Sequence, residues 1–108
     1  MEIKDYVDLS RIKDLLDSFS SITDFEVMVV GKDGAFLAGK SEFRVAENDG
    51  SCDIVIDKEK MGAVVVREHP EKNAGQAAEL LGMMLSQFVN LEYLNSINSG
   101  RFDTIKND

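Results

Sequence analysis

From about Asn73 to Ser99 the chain repeats an apolar residue at helical spacing: Ala77, Leu80, Leu81, Met84, Leu85, Phe88, Leu91, Leu94 and Ile97. No proline interrupts this run and Gly100 follows it. The spacing predicts one long amphipathic helix over the last third of a 108-residue chain. Asn73 can cap it, with Gln76 three residues on as in a capping box. A chain of this length has room for one domain and one modest core. Everything before the helix must therefore supply a surface for it to cover.

The preceding residues read as a small sheet behind a first helix. Leu9, Ile12, Leu15, Leu16, Phe19 and Ile22 form one stripe. Asp8 or Ser10 can cap its start, and the Ser18-Ser20-Ser21-Thr23 cluster ends it. Residues Phe25 to Val30 form a strand by their β-branched content. Gly31-Lys32-Asp33-Gly34 is a turn, because Asp-Gly readily supplies positive φ. Residues Ala35 to Gly39 return as a second strand. Ser41-Glu42-Phe43-Arg44-Val45 reads as a short, weak strand, and Asn48-Asp49-Gly50 as a turn. Ser51 to Ile56, a turn at Asp57-Lys58-Glu59-Lys60, and Met61 to Arg67 make a second hairpin. Pro70 marks a loop before the long helix. The expectation is α+β: an antiparallel sheet of four to five strands, flanked by an N-terminal helix and a long C-terminal helix. The domain is expected over residues 8–99, with 100–108 a polar linker or tail.

Charge and composition exclude several functions. The 44% apolar content is that of an ordinary globular domain. A net charge of −8 opposes binding to nucleic acid or to an anionic membrane surface. A single cysteine rules out an internal disulfide and a cysteine metal quartet. The charged N-terminus Met1-Glu2-Ile3-Lys4-Asp5 is no signal peptide, and apolar runs of about five residues are far short of a membrane span. The expected location is cytoplasmic.

Few residues carry candidate chemistry. His69, the single histidine, has only Glu68 and Glu71 near it in sequence, which gives no nucleophile–base pair. Gly31 to Gly34 lacks the spacing of a phosphate loop. Asp49, Asp53, Asp57 and Glu59 do not follow a calcium-loop pattern. No catalytic residue, metal site or cofactor is therefore expected. Arg44, between Phe43 and Val45, can grip a carboxylate or phosphate, or pair with Glu42 or Glu47. Cys52 shares a strand face with Ile54 and Ile56, which suits a small buried residue. Met83, Met84 and Phe88 can line a soft pocket or a packing surface. Arg44, Cys52, Met84 and Phe88 are the candidate ligand contacts. Leu81, Met84, Phe88 and Leu91 step by 3, 4 and 3, and with Leu94 they form a candidate dimer seam. The helix through about Phe88 is expected to cover the sheet. Its second half, Leu91 to Ile97, is expected to be a dimer seam or a signalling connector.

The stretches Leu15-Leu16-Asp17-Ser18-Phe19-Ser20, Val27-Met28-Val29-Val30 with Asp33-Gly34, and Asp53-Ile54-Val55-Ile56 with Met61-Gly62-Ala63-Val64-Val65 resemble the PocR-type sensory domain, a PAS-like module. The second hairpin and long helix are also similar to the sensory domain of sugar-diacid-type regulators. These resemblances imply a profilin-like sheet and a dimerising signal-input domain of a bacterial signalling or transcription-regulatory protein. They also imply a small-molecule ligand and an output domain beyond the last helix. PAS-like sensors usually enclose their ligand with several short helices between the second and third strands. Here Lys40 to Gly50 must suffice, and a cavity of ~300 Å³ would be hard to close with so little chain. Roadblock-type domains are similar in their order of elements and imply an interaction module that binds no small ligand.

Overall fold

The computed structural model describes residues 3–98 except 6 and 41, with only the backbone for 95–98. A short 3-10 helix, Ile3–Asp5, precedes α1 (Leu9–Thr23), β1 (Val27–Gly31), β2 (Phe36–Gly39), β3 (Gly50–Ile56), β4 (Glu59–Val66) and α2 (Ala74–Asn98). The four strands form one antiparallel sheet in the order β2-β1-β4-β3. The two hairpins lie side by side, joined through β1 and β4.

A fifth strand over 41–45 is not found: residues 42–46 carry no strand. The order of the sheet gives the reason. β2 and β3 are opposite edges, so the chain from Lys40 to Asp49 must travel from one edge to the other and has no strand beside it to pair with. Side chains pin this crossover. Asp49 accepts from the Glu68 N–H at 2.7 Å and the Ala46 N–H at 2.7 Å. Phe43 lies under the Arg67 guanidinium, 5.7 Å from ring centre to Cζ.

Local chemistry explains the other boundaries. Asp8 caps α1 by accepting from the Ser10 N–H at 2.9 Å. This donor also holds the Asp8 carboxyl below its ordinary pKa. Asp24 closes α1 in the left-handed conformation, its N–H donating to the Ser20 carbonyl. The second hairpin turns more tightly than expected. β4 begins at Glu59, and only Asp57 and Lys58 turn, both at positive φ, as a two-residue hairpin requires. Asn73 caps α2, accepting from the Gln76 N–H at 3.0 Å.

Both helices cover one face of the sheet. Val27 and Val29 pair with Val66 and Val64 across β1 and β4. All four join one core with Ile12 and Leu16 of α1 and Ala74, Ala78, Leu81, Leu85 and Val89 of α2. Ile3 and Val7 also lie in this core, so the packed unit begins before the expected residue 8. Residues 100–108, expected as a polar linker or tail, lie outside the described residues. Ile22, expected on the α1 stripe, is 84% exposed. Steps of three residues lag a helical turn by about 60° each, so Phe19 and Ile22 rotate progressively away from Leu16.

α2 runs along β3 from end to end. Two glycines let it approach. A Cβ on Gly50 would lie 2.1 Å from the Ala74 carbonyl oxygen, and one on Gly82 would lie 2.4 Å from the Cys52 Sγ. Further along, the Ser86 Oγ accepts from the Val55 N–H at 3.2 Å. The Asn90 side-chain amide donates to the Val55 carbonyl at 3.2 Å. Val55 lies on the edge strand beside a register shift, so these side chains pair backbone groups that no strand takes up. Docking continues past Phe88: Glu92 pairs with Arg11 of α1 at 2.7 Å, and Tyr93 packs on the core. No helix among the described residues is long and apolar enough to cross a membrane.

Candidate functional site

The four candidate ligand contacts do not converge. Arg44 is exposed on the crossover. Cys52 is half-buried beneath α2, against Gly82. Met84 faces outward, 42% exposed. Phe88 is half-buried, with the Arg11 guanidinium 5.1 Å from its ring centre. Burial raises the pKa of the Cys52 thiol, and the charges of Asp53 and Glu79 raise it further. That is the opposite of what a reactive thiolate requires.

His69 serves as a corner brace. Its Nδ1 accepts from the Glu71 N–H at 3.1 Å, and its ring meets Phe25 edge-to-face at 5.6 Å. Its Nε2 lies 3.8 Å from the Asp24 carboxylate. Lys72 donates to the Thr23 carbonyl beside it. Together these contacts tie the β4–α2 loop to the α1–β1 corner. Among the described residues no group of three His, Cys, Asp or Glu side chains is placed to hold a metal.

The concave surface gathers on one flank of α1. A cleft of about 20 Å³ lies among Leu16, Asp17, Ser20, Glu26, Val27 and Lys40, roughly the room of one water. Beside it an open groove of about 490 Å³ runs past Lys13, Asp17, Ser20, Ser21, Asp24 and Lys40. Within it Lys13 pairs with Asp17 at 2.9 Å, and the Ser20 hydroxyl donates to the Phe25 carbonyl at 2.5 Å. None of the four candidate contacts lines the cleft or this groove.

The surface that stands out is the outer face of α2. Leu80, Met83, Met84, Leu91 and Leu94 are 55%, 61%, 42%, 60% and 48% exposed. On the opposite side Ala74, Ala78, Leu81, Leu85 and Val89 are buried against the sheet. The helix thus carries two apolar stripes back to back. Of the expected seam, Met84, Leu91 and Leu94 face outward. Leu81 is fully buried on the sheet side, and Phe88 sits under Arg11. Leu80 and Met83 take the outward places. The clue to this division lies in the small residues: Ala74, Ala78 and Gly82 mark the side pressed closest to the sheet.

No family model, curated protein or solved structure matches the chain.

Proposed function

We propose that this chain is a non-enzymatic protein–protein interaction module whose contact surface is the outer face of α2. The exposed stripe Leu80, Met83, Met84, Leu91 and Leu94 carries the reading. A surface helix ordinarily places polar residues on its solvent side, and a contiguous apolar patch is characteristic of an interface. The order of helix, hairpin, crossover, hairpin and long helix supports a degenerate PAS-like or roadblock-like module of a cytoplasmic signalling protein. Within that reading the sensory role is the weaker part. A sensor of the conventional kind encloses its ligand, and the α1 flank offers a one-water cleft and an open groove.

Two measurements test the reading. Native mass spectrometry of the purified chain should give the mass of the polypeptide without a bound small molecule. A photoreactive residue in place of Met84 should form covalent adducts with protein in cells, while the same residue in place of Lys32, on the exposed β1–β2 turn, should not. A co-purified small molecule, or equal adducts from both positions, would overturn the proposal.

A further inference from the structure

The occupant of the outer α2 face can be read from its pattern and charge. Leu80, Met84, Gln87, Leu91 and Leu94 step by 4, 3, 4 and 3 residues. This is the spacing at which one helix seats its side chains between those of another. Met83 borders the same stripe. The sheet-facing residues lie on the opposite side of the helix, so docking on the domain leaves the whole repeat open.

Charge narrows the choice of partner. The chain carries 20 acidic and 12 basic residues, so two copies repel one another over most of their surface. α2 is the exception: its 25 residues include only Glu79 and Glu92, and Glu92 pairs with Arg11. No charged residue falls on the stripe or at Met83 beside it; the other flanking positions, Leu81, Phe88 and Asn90, are taken up by the sheet, by Arg11 and by the Val55 carbonyl. A face built to select a different protein by charge would carry charge there. A face without it suits a copy of itself, because it removes the one local obstacle to meeting an identical acidic chain. Covering the five exposed side chains completely on both copies would remove on the order of 1,000 Å² from water, which is the threshold for a specific interface.

We infer that the chain pairs with a second copy of itself through α2, in a two-fold seam where Gln87 meets Gln87 of the second copy. This rests on the outer face being an interaction surface and names its occupant. Gln87 is the one polar residue within the apolar repeat. Across a two-fold contact its amide can donate to and accept from an identical amide, which fixes register as a lone polar residue does in paired helices. Leu80, Met84, Leu91 and Leu94 then supply the apolar contact on either side.

Sedimentation velocity of the full 108-residue chain tests this, from low micromolar to about 100 µM. The mass should rise to twice the chain. Met84→Lys with Leu91→Lys should weaken self-association roughly a hundredfold or more, leave the circular dichroism unchanged, and leave the melting curve unchanged at concentrations where the chain is monomeric. In a Cys52→Ser background, Gln87→Cys should cross-link to a dimer under a mild thiol oxidant, and Lys32→Cys should not. A monomer at all concentrations, or a dimer indifferent to the double substitution, would overturn the inference. A monomer whose position-84 photoadducts are with other proteins overturns the second-copy occupant and leaves the interaction reading standing. A monomer with no such adducts overturns both.

Discussion

The two sides of α2 are made of similar residues and do different work. Leu81 and Leu80 are adjacent in sequence, yet one is fully buried on the sheet and the other is 55% exposed. The inner side carries small residues where it approaches closest, Ala74, Ala78 and Gly82, and polar residues where it meets unpaired backbone, Ser86 and Asn90. The outer side has no small residues on its stripe, only large flexible side chains at heptad spacing, with Gln87 the one polar member. Hydrophobicity alone does not separate a face that belongs to the fold from one that waits for a partner. Close approach and polar satisfaction do, because only the inner face has a fixed neighbour to fit.

The sharpest way to break this comparison is to truncate both leucines. Leu81→Ala removes buried methyl groups beside β3 and β4 and should cost about 2–5 kcal/mol. For a domain of this size that lowers the melting temperature by roughly 10 °C or more. Leu80→Ala should change it by less than about 0.5 kcal/mol at concentrations where the chain is monomeric. Chemical denaturation of both variants checks this. Similar losses would mean that α2 has no distinct outer face.

Gly82 offers a second, smaller break. By helix propensity alone, glycine to alanine in a helix interior gains about 1 kcal/mol. Here the added Cβ would meet the Cys52 Sγ at 2.4 Å and its Cβ at 2.7 Å, so Gly82→Ala should instead destabilise by about 1–3 kcal/mol. Cys52→Ala should recover part of that loss, because it removes the sulfur and keeps the Cβ. A double-mutant cycle between the two positions should show coupling. A stabilising Gly82→Ala would mean that the helix stands further from β3.

These elements differ in how legible they were from sequence. The helices and both hairpins could be read because each carries its own period: 3.6 in α1 and α2, and β-branched runs bracketed by Asp-Gly or Asp-Lys turns in the strands. The division of α2 was harder. When apolar residues surround a helix, periodicity does not say which stripe meets the sheet, and grouping Leu81 and Phe88 with Met84 crossed from one side to the other. Ile3 and Val7 were invisible because two isolated apolar residues in a charged segment have no period. They reach the core because Gly62 leaves space for Ile3, whose Cδ1 would lie 3.0 Å from a Cβ there. The crossover failed as a strand for a topological reason that no local signal contains: it joins the two edges of the sheet. Arg44 and Cys52 suggest a ligand by residue type alone, and the fold places them on separate surfaces.

Ser86 and Asn90 give a finer test of the inner face. Each makes one hydrogen bond to the Val55 backbone, at 3.2 Å in both cases. Ser86→Ala and Asn90→Ala should each cost about 0.5–1.5 kcal/mol. Amide exchange at Val55 should accelerate with Ser86→Ala in particular, because Ser86 holds that N–H. Unchanged exchange would mean that the strand edge is protected by something other than these side chains.

The smallest expected effect concerns Cys52 and reads the docking of α2 without altering it. Burial raises the thiol above its ordinary value of 9.0, with Asp53 and Glu79 adding to the shift. The folded state therefore holds the thiol proton to higher pH than the unfolded chain does. Below pH 9 both states are protonated and the group leaves stability unchanged with pH. As pH rises through 9, the unfolded chain loses its proton first, so stability falls. Alkylation by iodoacetamide near pH 8 should accordingly be slower than for a free cysteine in a short peptide, since the thiolate is the reacting form. Substitutions that loosen the inner face, Leu81→Ala above all, should speed it, while Leu80→Ala and Leu91→Ala should not. If alkylation were as fast as in the peptide, or quickened equally by inner and outer substitutions, Cys52 would not be sheltered by the sheet-facing side of α2.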